Sequence, residues 1–98
     1  MARLDQWVRN ILINEELRSA YGRCTRLTLV PAGRDNEVYS LGLAGRQWDP
    51  KEIADLFREK AEHHAETLPE TRTFYLRAFF GDRRIPQESR RLSVNTRV

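Results

Sequence analysis

Histidines and carboxylates are the first side chains to test for catalysis or metal binding. His63 and His64 are the only histidines in the sequence. Adjacent helical residues point about 100° apart, so these two cannot bind one ion together. Glu59, His63 and Glu66 are spaced to share one helix face, which could hold a divalent metal. A solvated face with a histidine near the helix C-terminus is the more ordinary interpretation.

The remaining reactive residue types form no pattern typical of an enzyme. His64 falls on an apolar helical stripe, which predicts packing, and no nucleophile motif accompanies it. Neither Gly42 nor Gly45 is followed by Lys-Ser or Lys-Thr, so no phosphate-binding loop is indicated. Cys24 opens a strand-like stretch and is predicted to be a small apolar side chain. We therefore predict a protein that is not an enzyme, with no cofactor and no evident small-molecule substrate.

Arginines and aromatic residues alternate in the last quarter of the chain. Residues 71–98 contain seven arginines against Asp82 and Glu88. Single-stranded nucleic acid suits such a surface, because phosphates meet arginine and bases stack on rings. An acidic protein surface suits it equally, because arginine and aromatic residues are enriched at protein interfaces. The predicted binding residues are Arg72, Tyr75, Arg77, Phe79, Arg83, Arg84, Arg90 and Arg91.

The first 21 residues carry more apolar surface than one helix face can use. One helical stripe is formed by Leu4, Trp7, Val8, Ile11 and Leu12, and a second by Ile13, Leu17, Ala20 and Tyr21. Either the helix breaks near Asn14, which would cap a new helix, or one helix is apolar on two sides. A surplus apolar face is typical of a subunit contact. The predicted partner-binding residues are Trp7, Ile13, Leu17 and Tyr21.

Residues 48–69 have the most consistent helix signals in the chain. Asp49 is a candidate N-cap, Pro50 suits the first helical position, and Glu52 follows Asp49 by three residues. Apolar residues then recur at helical spacing until Pro69, which cannot continue a helix. We expect this helix to support the sheet.

Four β-strands are predicted, at residues 24–30, 37–44, 71–80 and 90–94. Turn residues between the first two predict a hairpin. The third strand is partly apolar on both sides, which favours a central position with the 48–69 helix on one face and the N-terminal helix on the other. Residues 81–89 are predicted to be a loop because they contain Gly81 and Pro86.

The order of elements predicts an α+β fold in one domain, residues 1–98. An N-terminal helix or helix pair, residues 1–22, precedes a ββαββ core, residues 23–98, with its helix packed on a small mixed or antiparallel sheet. The core order resembles the β-grasp layout of ubiquitin-like domains, which implies a mixed sheet. Two hairpins bracketing the helix in a plain antiparallel sheet fit the order equally well.

Composition limits the remaining choices. The 98 residues are 40% hydrophobic and 32% charged, with a formal net charge of +3. No apolar run approaches the roughly 20 residues of a membrane helix, and the N-terminus lacks a signal-peptide core, so we expect a cytoplasmic protein without membrane contact.

The predicted function is a non-enzymatic protein–protein assembly or adaptor module. We expect it to act in a homo-oligomer or a larger complex, such as a phage or viral structural or accessory subunit. The alternative is a nucleic-acid-binding domain that uses residues 72–91, and a third is a small enzyme or metal-binding protein that uses His63.

Overall fold

The computed structural model describes residues 3–34, 36–67, 72–81 and 83–94, with the backbone alone for 83–89. Its helices are α1 (Leu4–Ile13), α2 (Glu15–Tyr21) and α3 (Pro50–Thr67). Its strands are β1 (Arg26–Pro31), β2 (Tyr39–Gly42), β3 (Thr73–Phe80) and β4 (Arg83–Ser93). This combination confirms the predicted α+β class and the order of its elements.

The strands form a sheet in the spatial order β2-β1-β3-β4. Each pair of neighbours is antiparallel. The β1–β2 hairpin and the central position of β3 are therefore confirmed. The mixed sheet implied by a β-grasp layout is not formed, and the antiparallel alternative describes the molecule.

The helices pack on one face of this sheet. Phe74, Leu76 and Ala78 of β3 are fully buried in the same apolar core as Val8 of α1 and Phe57 of α3. The expectation that the N-terminal helix covers the opposite face is wrong. The physical reason is that the apolar stripe of α1 is narrow. It is covered jointly by α3 and by the sheet face on which α3 packs.

The N-terminal segment is a pair of helices, as one of the two alternatives predicted. Asn14 leaves helical geometry with ψ at 118°, and its side-chain Oδ1 accepts a hydrogen bond from the Leu17 backbone N–H at 3.0 Å. That bond satisfies one of the free donors in the first turn of α2. Gly22 ends α2 with φ at 84°, a conformation that glycine adopts without a steric penalty.

The helix start predicted from Asp49 and Pro50 is confirmed. The helix begins at Pro50, and the Asp49 carboxylate accepts a hydrogen bond from the Lys51 backbone N–H at 3.3 Å. Its buried stripe includes Ile53, Phe57 and Ala61. The predicted stop at Pro69 lies outside the described residues. The helix α3 is the longest described helix, and it packs on one face of the sheet. The opposite face of the sheet is therefore the exposed one.

The last strand is longer than the sequence indicated. Residues 83–89 belong to β4, so the predicted loop is wrong, and the chain reverses at Gly81 with φ at 68°. The loop was predicted because Gly81 and Pro86 are turn-forming residues. Proline is nevertheless tolerated in an edge strand, because its missing N–H removes no hydrogen bond between two inner strands. A register shift lies between Arg77 and Phe79, whose partners on β4 are Ser89 and Arg84.

Candidate interaction site

The sheet face opposite the helices carries five arginine and aromatic side chains. Tyr75, Arg77 and Phe79 alternate with the buried residues of β3 and therefore point away from the helices. The strand register places Arg91 beside Tyr75 and Arg26 beside Phe79. We call these five residues the Arg-aromatic face. No helix of the described part of the chain covers it.

The two rings of the Arg-aromatic face differ in their accessibility. The Arg26 guanidinium lies over the Phe79 ring, 4.2 Å from its centroid, and its Nη1 is 3.5 Å from the Glu37 carboxylate. This cation–π contact occupies one side of the half-buried Phe79 ring. Tyr75 is 36% exposed. Tyr75 is therefore the ring of this face most available to a partner.

Beneath these side chains the sheet is tightly packed. Thr28 and Val30 of β1 point to the same side as Arg26, yet they are 0% and 1% exposed. The strand β1 is thus buried on both faces. Their neighbours across the β1–β3 ladder are Arg77 and Tyr75. Neighbouring side chains therefore cover Thr28 and Val30 on the face opposite the helices.

The other predicted arginines do not all join this face. Arg90 is half-buried and pairs with Leu76, so it lies on the helix side of β4, and its predicted place on the exposed surface is wrong. The reason is the strand alternation, which separates it from Arg91. Arg72 precedes β3, where its carbonyl accepts a hydrogen bond from the Val94 N–H. The backbones of Arg83 and Arg84 belong to β4, but their side chains lie outside the described residues.

The predicted apolar contact of the N-terminal helices is divided between the core and the surface. Trp7 and Leu17 are half-buried and pack against the core. Ile13 is 54% exposed and Tyr21 is 42% exposed. The Tyr21 ring lies 6.0 Å from the Phe80 ring. The molecule's own core therefore takes up part of the apolar surplus, and the partner-binding role of these four residues stays a prediction.

The histidines lie in ordinary packing and surface positions. The His64 ring meets the Phe74 ring edge to face at 5.6 Å, which agrees with the predicted packing role. Glu59, His63 and Glu66 line an open hollow on α3. No group of three histidine, cysteine or acidic residues in the described ranges is placed to hold a metal ion. The sequence-based metal alternative at His63 therefore gains no geometric support.

Cys24 is a buried thiol in this environment. It is 8% exposed, and its Sγ–H donates to the Arg26 carbonyl at 3.5 Å. Burial raises the pKa of the thiol from 9.0 to about 11, because the interior disfavours the thiolate, and hydrogen bonds to the thiol only partly offset this. The predicted role as a small apolar residue agrees with this position.

Sequence reasoning missed two features of the surface. Arg26 belongs to the Arg-aromatic face, and the alternation of β1 with β3 would have indicated it only once their pairing was known. A second concentration of positive charge lines a groove between α1 and residues 43–51. Its arginines come from separate parts of the chain, so no local pattern reveals it.

Comparison of the chain with protein-family models, curated proteins and solved structures gave no match. Within the described ranges, no helix combines the length and apolar character needed to cross a bilayer. We therefore infer the function from the arrangement of side chains on the surface of the molecule.

Proposed function

We propose that this protein is a non-enzymatic assembly or adaptor module that docks its Arg-aromatic face on an acidic surface of a partner protein. The observation that carries the proposal is the position of Tyr75, an exposed ring beside Arg77 and Arg91 on the sheet face that no described helix covers. Tyrosine and arginine are the residue types that dominate binding energy at protein interfaces. Guanidinium groups also pair with carboxylates through two parallel hydrogen bonds.

A protein partner suits this face better than single-stranded nucleic acid does. Base-stacking surfaces use successive aromatic rings along the strand. Here Arg26 already covers one side of Phe79, which leaves Tyr75 as the main accessible ring. The burial of Thr28 and Val30 also suits a flat protein-binding surface better than a cleft for bases. Nucleic-acid binding is therefore the competing outcome of the test.

A direct binding assay tests the proposal. We would measure fluorescence anisotropy with a glutamate-rich peptide and with a short oligothymidylate, each over a range of salt concentrations. The peptide should bind, and Tyr75→Ala or Arg77→Glu should weaken it by about ten-fold or more, as loss of an interface hot spot does. Arg34→Glu is the matched control, because Arg34 is exposed and lies outside the Arg-aromatic face.

Two results would count against the proposal. Binding of the oligothymidylate alone, with a steep salt dependence that Tyr75→Ala abolishes, would assign the face to nucleic acid. Equal effects of Arg77→Glu and Arg34→Glu would show that peptide binding depends only on the net charge of the protein. If the partner is a second copy of the chain, light scattering should show an oligomer that Tyr75→Ala and Arg77→Glu dissociate.

A further inference from the structure

A groove of about 830 Å³ lies between α1, α2 with the two residues 23–24 that follow it, and residues 43–51, which lead into α3. Leu12 and Ile13 of α1 form part of one wall, and Trp48 forms part of the other. The volume is in the range of small-molecule sites. The groove includes no residue of the Arg-aromatic face.

Positive charge is concentrated along this groove. Six basic residues line it against two carboxylates, which leaves an excess of four positive charges among the described lining residues. Arg3 pairs with Asp5, and Lys51 pairs with Asp55. The other four cations have no ion pair with a described carboxylate: Arg9, Arg18, Arg23 and Arg46. We call these four residues and Trp48 the basic groove.

Such an arrangement needs a physical reason. Like charges along a concave wall repel one another, and the low-dielectric wall focuses their potential into the groove. Because all four side chains are exposed, solvent screens this repulsion, and it lowers the stability of the folded state only slightly. Local features that oppose stability without a compensating contact are expected at functional sites. An anionic ligand would convert the repulsion into attraction.

Trp48 lies in the wall of the groove, beside one of its arginines. Its side chain is half-buried, and its indole Nε1 is shielded from solvent without a hydrogen-bond partner in the described part of the chain. The Arg46 guanidinium lies 5.6 Å from the centroid of the Trp48 ring. An anion bound to Arg46 would therefore lie close to the Trp48 ring.

We infer that the basic groove binds phosphate groups, with the guanidinium groups of Arg9, Arg18, Arg23 and Arg46 as their ligands. Phosphate is favoured over carboxylate because it concentrates charge and several acceptor oxygens in one compact group. Guanidinium groups match its geometry with paired donors. The phosphate could belong to a free nucleotide or to a nucleic-acid strand.

Titration followed by tryptophan fluorescence tests this inference on the full chain. Trp7→Phe removes the other tryptophan, so the signal reports Trp48. Inorganic tripolyphosphate should change the Trp48 emission and raise the melting temperature. The double variant Arg9→Gln/Arg46→Gln should bind it at least about ten-fold more weakly, because charge-assisted hydrogen bonds are lost. Arg34→Gln, outside the groove, should bind it like the parent.

The stability of the free protein provides a second readout. In phosphate-free buffer, Arg9→Gln/Arg46→Gln should melt at a temperature equal to or above that of the parent, because it relieves repulsion. A merely structural role for these arginines would lower the melting temperature instead. The variant therefore remains informative even if its binding is lost completely.

Further probes distinguish the source of the phosphate. Tighter binding of ATP than of oligothymidylate indicates a nucleotide, whereas the reverse with a steep salt dependence indicates a strand. Failure of tripolyphosphate, ATP and oligothymidylate to bind would overturn the inference, as would unchanged tripolyphosphate binding in Arg9→Gln/Arg46→Gln. Tyr75→Ala should leave phosphate binding intact, so this inference and the proposed function can fail separately.

Discussion

Two threonine hydroxyls in the same region of the sheet differ in whether they have hydrogen-bond partners. Thr28 is fully buried, and its Oγ1 has no hydrogen-bond partner among the described residues. Thr25 is exposed, and its hydroxyl accepts from the Gly81 N–H at 3.1 Å and donates to the Phe79 carbonyl at 3.3 Å. The first hydroxyl is a cost to folding, and the second ties β1 to the β3–β4 turn.

Thr28→Val should therefore leave the free energy of unfolding unchanged or raise it by up to about 1 kcal/mol, because it removes a buried polar atom without a partner. Thr25→Val should lower it by about 1 kcal/mol, because it leaves the Gly81 N–H without its acceptor. Urea unfolding of both variants measures the difference. A marked loss of stability in Thr28→Val would show that its hydroxyl does have a partner.

Cys24 should react slowly with alkylating reagents in the folded protein. Burial raises its pKa from 9.0 to about 11, so at pH 8 the thiolate fraction falls by about 100-fold relative to an ordinary thiol. Iodoacetamide labelling followed by mass spectrometry, in native buffer and in urea, measures the ratio. Equal rates in the two conditions would contradict the buried position.

The same raised pKa links stability to pH. Between pH 9 and about 11 the unfolded chain loses the Cys24 proton before the folded protein does, so stability falls as pH rises. Wild type should lose stability relative to Cys24→Ala across this range and not below it. Urea unfolding of both proteins at pH 8 and pH 10.5 tests the sign. A difference that stays constant would contradict the linkage.

Individual helices and strands obey local rules to different degrees. The start of α3 and the break between α1 and α2 follow from capping residues that the sequence displays. The extent of β4 does not, because Gly81 and Pro86 have turn propensity while pairing with β3 decides the outcome. Local hydrogen-bonding preferences are visible in the sequence, whereas strand pairing depends on a distant partner.

Asn14→Ala should destabilise the protein by about 1 kcal/mol, because the Leu17 N–H loses its side-chain acceptor. The helix α2 has seven residues, too few to be stable by itself, so its cap and its packing decide whether it forms. Ser19→Ala, at an exposed position inside α2, should change stability by no more than a few tenths of a kcal/mol. Circular dichroism during urea unfolding compares the two variants.

The whole molecule is a layer of helices on one sheet face, with the Arg-aromatic face on the other side. Leu4, Val8 and Ile11 of α1 belong to the common core, so α1 is an integral part of the fold. Ile13, two residues beyond Ile11, is 54% exposed. This pair separates a folding role of α1 from a partner-binding role.

Ile11→Ala should lower the free energy of unfolding by about 2–5 kcal/mol, because it leaves a cavity in the core. Ile13→Ala should change it by less than about 0.5 kcal/mol in the monomer. Urea unfolding at several protein concentrations measures both. A cost for Ile13→Ala that grows with protein concentration would show that Ile13 lies in a subunit contact.

Only part of the Arg-aromatic face could be predicted from the sequence alone. Tyr75, Arg77 and Phe79 share one strand, so period-two alternation was enough to group them. Arg91 and Arg26 join them through the register of two ladders, and the same register moves Arg90 to the helix side.

The sequence by itself determined the start of α3 at Pro50, the apolar stripes and the alternation of β3, because these depend on contacts within a few residues. It offered the break at Asn14 as one of two alternatives, and the structure decided between them. Tertiary structure alone decided that α1 and α3 share one face of an antiparallel sheet. It also placed Arg9, Arg18, Arg23 and Arg46 along one groove with Trp48. Such convergence depends on long-range packing, which the spacing of residues along the chain does not encode.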